Sequence, residues 1–117
     1  MKYMLMLRHR AGEGPNEDSP EFADEMKVWD ALTEELKSNG AMIWGGGLAS
    51  EAEATTVRAP KGERAVTDGP FAETKELLFS VLIVDLPDLD AAIDVAARMP
   101  ASDYGSVEIR PLADVEQ

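Results

Sequence analysis

The apolar and polar positions divide the chain into a short series of elements. Tyr3-Met4-Leu5-Met6-Leu7 is apolar at successive positions and predicts a strand buried on both faces. Ala11 to Asp18 is a polar Gly/Pro loop. Ser19-Pro20-Glu21 then has the form of a helix start: a capping hydroxyl, a proline in the first turn and an early acid. Phe22, Met26, Trp29, Leu32 and Leu36 recur at helical spacing, and Asn39-Gly40 closes the helix. Ala41 to Trp44 predicts a second strand, and Gly45-Gly46-Gly47 reads as its end with a bulge. Ala54 to Arg58 and Arg64 to Asp68 flank Pro60-Lys61-Gly62-Glu63, the pattern of a β-hairpin. Leu77 to Val84 is the most apolar run and predicts a central strand. Asp88 caps a second helix with Leu89, Ala92, Ile93 and Ala96 expected on its buried side, ending near Met99-Pro100. Ser106 to Arg110 alternates and predicts a last strand.

The order is β-α-β, a hairpin and a strand, then α-β. That order predicts an α+β sandwich of the ferredoxin-like kind. Two helices cover one face of such a sheet, yet both central runs call for two dry faces. The second face therefore needs a cover, and the expected cover is a second copy: a homodimer whose sheets pack face to face.

Composition narrows the function classes. At 117 residues the chain is expected to be a single domain, residues 1–117. Eleven basic residues against 23 acidic give a formal charge of −12, which argues against direct nucleic-acid binding through a basic face. No apolar run approaches the roughly 20 residues needed to span a bilayer, so no membrane partner is expected. The absence of cysteine removes disulfides, a thiol nucleophile and zinc–thiolate sites, and fits a cytoplasmic setting. With one histidine, no metal site and no cofactor are expected.

The segment Thr67 to Glu76 concentrates candidate chemistry. Gly69 and Pro70 make a turn, Asp68 precedes it, Phe71 follows, and Glu73, Lys75 and Glu76 crowd the next positions. The string Asp68-Gly69-Pro70-Phe71-Ala72-Glu73-Thr74-Lys75-Glu76 resembles the signature of the DGPF group within the YCII-related proteins. Ala54-Thr55-Thr56-Val57-Arg58, Asp88-Leu89-Asp90-Ala91-Ala92 and Gly105-Ser106-Val107-Glu108-Ile109-Arg110-Pro111 agree with it. The resemblance implies a dimeric α+β barrel related to the ferredoxin-like fold. Members of the wider family often carry a histidine and an aspartate near one cleft. By register those positions fall near Trp29 and at Met99, both apolar here, so the resemblance does not bring the pair with it. Fusions of such domains to sigma-factor modules imply a link with transcription initiation, and hence a sigma-factor-type protein as a candidate partner.

Asp68 is the first candidate as a general base or ligand-orienting carboxylate, with a turn-capping role as the alternative. His9, between Arg8 and Arg10, is a candidate anion or proton-transfer site, with a solvated surface histidine as the alternative. The bare backbone at Gly46 is able to approach a ligand, and Gly45-Gly46-Gly47 lacks the third glycine of a dinucleotide loop. Trp29 and Trp44 are expected to fill core, with Trp29 able to turn a polar cleft into an apolar one. Together these readings predict a homodimer that binds a small molecule or serves a regulatory role at a site containing Trp29, Gly46, Phe71 and His9. The alternatives are a small enzyme of proton transfer or hydrolysis using Asp68, and an adaptor recruiting a sigma factor.

Overall fold

A computed structural model describes residues 1–69 and 76–113. The elements are β1 (Lys2–His9), α1 (Pro20–Ser38), β2 (Met42–Gly47), β3 (Thr55–Arg58), β4 (Ala65–Asp68), β5 (Leu77–Asp85), α2 (Leu89–Ala97), α3 (Ala101–Tyr104) and β6 (Ser106–Pro111). Four strands form one antiparallel sheet in the order β2-β5-β1-β6, and β3 and β4 form a separate two-stranded sheet. With the hairpin set aside, this is the ferredoxin-like α+β order. The two continuous apolar runs, β1 and β5, take the central places because only there are both ladder edges occupied.

The pleat separates two faces. Tyr3, Leu5 and Leu7 are buried under the helices, while Met4 and Met6 point the other way and are half-buried. Leu82 and Val84 stand opposite Leu5 and Tyr3 and share their face. Leu32 and Leu36 of α1, with Ala92, Val95, Ala96, Met99 and Ala101, close the core from above. Truncating one of these buried leucines to alanine costs about 2–5 kcal/mol.

Local chemistry sets the helix limits. Ser19 Oγ accepts from the Phe22 N–H at the start of α1. At its end Gly40, with φ 79°, donates to the Lys37 carbonyl, and Ala41 donates to that of Leu36, a Schellman closure. Asp88 caps α2 by accepting from the Ala91 N–H. Gly105 sits where β6 approaches β1, and a Cβ there would overlap the Arg8 carbonyl oxygen.

Three expectations are corrected. Ala92 and Ala96 are buried on α2, but Leu89 and Ile93 are exposed and Val95 takes the remaining buried place. With Met99 and Ala101 already filling the core behind it, the helix seats its small-residue face. Gly45, Gly46 and Gly47 form the end of β2, but its irregularity falls between Met42 and Trp44 and not at the glycines. Trp44 does not fill core: an irregularity between Met42 and Trp44 shifts the phase of β2, so Trp44 stands opposite Ile83 and is 51% exposed.

That shift leaves an apolar surface on the sheet face away from the helices. It comprises Met4, Met6, Val81, Ile83 and Trp44, bordered on β6 by Glu108, which accepts from Arg8 at 2.8 Å and Arg110 at 2.5 Å.

Candidate functional site

Between α1 and the β2–β5 half of the sheet lies a cavity of about 480 Å³. Met26, Asp30, Thr33 and Lys37 recur at spacings of three and four, with Trp29 beside Asp30, so one stripe of α1 forms its roof. Met42 and the backbone of Gly45, Gly46 and Gly47 form one wall, and Phe79, Ser80 and Leu82 of β5 the other. Gly45 keeps this space open. A Cβ on Gly45 would point at Met42 Sδ and Leu82 Cγ, 3.4 and 3.5 Å away.

Phe79 owes its position to a register shift. Leu7 pairs with Ser80 and Arg8 with Leu78, so Phe79 is the extra residue of a bulge. Its ring meets that of His9 at 4.6 Å with a tilt of 57°, and Tyr104 lies beyond at 6.1 Å from His9. Ser80 Oγ donates to the Gly46 carbonyl at 3.2 Å, which ties the two walls together.

Trp29 and Gly46 are brought together in this cavity. His9 reaches it only through Phe79, and its Nδ1 is 2.7 Å from the Arg10 carbonyl oxygen. Arg8 projects from the opposite sheet face to Glu108, so Arg8 and His9 do not converge on one anion. Asp68 ends β4 opposite Thr55, is exposed, and does not line the cavity. The neighbouring turn is held by Gly69 N–H donating to the Ala54 carbonyl at 2.6 Å and Thr56 Oγ1 donating to the Gly69 carbonyl at 2.7 Å. Phe71 lies outside the described residues. Met99 is buried in the core.

Sequence reasoning missed Asp30, Thr33, Lys37 and Phe79. The first three read as the solvated side of an amphipathic helix, which they are in part, and nothing local marks the cavity that they border. The bulge that aims Phe79 leaves no trace in an unbroken apolar run.

The cavity is apolar on most of its surface, with a carboxylate, a hydroxyl and an ammonium along one helix. Such a lining suits a small, largely apolar molecule oriented by a few polar contacts. Among the described residues no group of three or more His, Cys, Asp or Glu is placed to hold a metal ion, and no helix is long and apolar enough to cross a membrane. A second recess of about 580 Å³ separates α1 from the α2–α3 end, where Tyr104 donates to Glu25 Oε1 at 2.7 Å. Burial, then the Glu25 carboxylate, push the Tyr104 phenol well above its ordinary value.

Comparison with known proteins agrees with this architecture. The YCII-related domain matches residues 1–116. The chain belongs to the YCII-related family. A curated relative in the comparison, an uncharacterized protein of Rhizobium meliloti (strain 1021), is 44% identical over 68 residues. That match covers 56% of this chain and 55% of the relative, so the chain spans about half the length of the curated relative it matches. Among solved structures, the 5-chloro-2-hydroxyhydroquinone dehydrochlorinase TftG of Burkholderia phenoliruptrix AC1100, in complex with 2,5-dihydroxybenzoquinone, superposes with a TM-score of 0.52. The two are 12% identical, and the match covers 96% of this chain and 93% of that one. At that identity the likeness shows the α+β fold that this family member shares with it.

Proposed function

We propose that this YCII-related protein is a homodimer that binds a small, largely apolar molecule in the cavity between α1, β2 and β5. The observation that carries the reading is the cavity's lining: Trp29 and Phe79 supply flat apolar walls beside the side-chain-free backbone of Gly45 to Gly47. The homodimer rests on the sheet face bearing Met4, Met6, Val81, Ile83 and Trp44, which the chain's own helices leave uncovered.

A thermal-shift screen of wild type and Trp29→Ala against common metabolites tests the binding. A ligand at 100 times its Kd stabilises the folded state by roughly 2.7 kcal/mol. The expected result is a compound that raises the melting temperature of wild type but not of Trp29→Ala. A compound that stabilises both equally would place its site elsewhere.

A second reading is an enzyme of proton transfer. One observation favours it: Asp30 lines the cavity, within the same helical stripe as Thr33 and Lys37. TftG, alike in fold, is named for a dehydrochlorination and holds a quinone-type molecule. The proposed base is then Asp30, with Asp68, which lies outside the cavity, as the alternative carboxylate. Turnover of a bound compound that is lost in Asp30→Asn but kept in Asp68→Asn separates the two carboxylates.

A further inference from the structure

The β3–β4 hairpin lies outside the four-stranded sheet and pairs only with itself among the described strands. Val57 and Val66 are direct cross-strand partners, so their side chains stand together on one face. They are 61% and 60% exposed. Every residue of β4 is exposed as well. An isolated two-stranded hairpin is at best marginally stable in water, so an uncovered branched pair at its centre calls for a covering surface. The radius of gyration, 16.2 Å, exceeds the about 13 Å typical of a compact chain near this length, as a projecting arm requires.

Charge indicates what covers it. The hairpin's tip, from Arg58 to Arg64, carries Arg58, Lys61 and Arg64 against Glu63 alone, a net charge of +2. The rest of the chain has eight basic and 22 acidic residues, a net charge of −14. The arm therefore carries a basic tip and an apolar pair out from an acidic body, and the surface that complements it best is the body of another molecule of the same chain. Lys61 and Gly62 hold the tip in a tight turn at φ 53° and 83°, so Lys61 is displayed at its apex.

We infer that the β3–β4 hairpin is a clasp: the Val57–Val66 pair lies against a second copy of this chain, with Lys61 and Arg64 over its acidic surface. This rests on the homodimer proposed above and adds to it a contact that the sheet face does not supply.

Sedimentation equilibrium of the full chain tests the clasp with two surface variants. Val57→Thr/Val66→Thr keeps branched residues in the strands while adding hydroxyls to the apolar pair. Lys61→Glu/Arg64→Glu reverses the tip. Each should raise the dimer dissociation constant at least tenfold, and raising the salt from 0.1 to 0.5 M should loosen the wild-type dimer more than the tip variant. A dimer of wild-type affinity in both variants overturns the clasp and leaves the homodimer standing, with the arm then open to a different protein. A monomeric wild type overturns both. Circular dichroism of each variant confirms that the fold is kept, and if one pair fails to fold the other decides.

Discussion

Tyr104 donates its hydroxyl to Glu25 Oε1 at 2.7 Å, joining α3 to α1 across the recess that separates them. The ring also closes over the loop before α1, where a Cβ on Gly14 would come within 2.9 Å of it. One phenol thus ties the loop, the first helix and the C-terminal third of the chain together.

The pH behaviour of this contact has a definite sign. The Tyr104 phenol is raised in the folded state by burial first and by the Glu25 carboxylate second. Its contribution to stability is therefore fully present below the unfolded phenol's pKa, about 10, and is lost as pH rises above that value. In Tyr3→Phe, which leaves Tyr104 as the one tyrosine, phenolate absorbance should not appear until the pH is well above 10. Ordinary titration near 10 in the folded protein would show that the Glu25 contact does not form.

Removing the hydroxyl leaves the Glu25 carboxylate solvent-accessible rather than stranded. Tyr104→Phe should therefore cost about 1 kcal/mol in chemical denaturation, the ordinary net worth of such a bond. A loss of several kcal/mol would mean that the phenol holds the core rather than the surface.

Gly105 makes a sharper demand. Any side chain there overlaps the Arg8 carbonyl oxygen, and backbone cannot rotate away as a side chain can. Gly105→Ala should force β6 off β1 and cost at least about 1–3 kcal/mol. Gly46→Ala is the contrasting case: its new Cβ would meet Trp44 Cη2 at 3.0 Å, but that indole is half exposed and free to swing. It should lower stability by less than about 1 kcal/mol. Equal melting temperatures for the two variants would contradict this difference.

Glu108 sits between two guanidinium groups at the rim of the open sheet face. Its carboxyl is held below the ordinary range, chiefly by the Arg110 hydrogen bond, with desolvation opposing it and Arg8 adding to the lowering. The stability it supplies is present above the unfolded carboxylate's pKa and is lost as pH falls through the lower folded value. Because the group is partly exposed to solvent, the effect should be small and should shrink with added salt. Acid titrations of wild type and Glu108→Gln at two salt concentrations read it directly.

The parts of the fold legible in the sequence are those fixed by short-range chemistry. Ser19 and Asp88 cap the helices they precede, and Asn39-Gly40 ends the first one, because capping depends on residues only two or three positions away. The central places of β1 and β5 followed from continuous apolar runs. Trp44, Leu89 and Ile93 were misjudged because apolar character does not say which way a residue faces once a bulge or a neighbouring element sets the phase. The site divides the same way. Trp29 and Gly46 line one cavity, and Asp30, Thr33 and Lys37 join them only because α1 lies over the β2 edge. That is a long-range placement with no local signal.

The six methionines allow one direct measurement of the central claim, that small molecules bind under α1. Met26 and Met42 line the cavity, Met4 and Met6 lie on the open sheet face, and Met99 is in the core. Methyl-labelled methionine spectra should be recorded at constant protein concentration while compounds from the thermal screen are added. The account predicts that the Met26 and Met42 methyl signals move with the compound while those of Met4 and Met6 stay fixed. Movement confined to Met4 and Met6, or no movement at saturating compound, would contradict it.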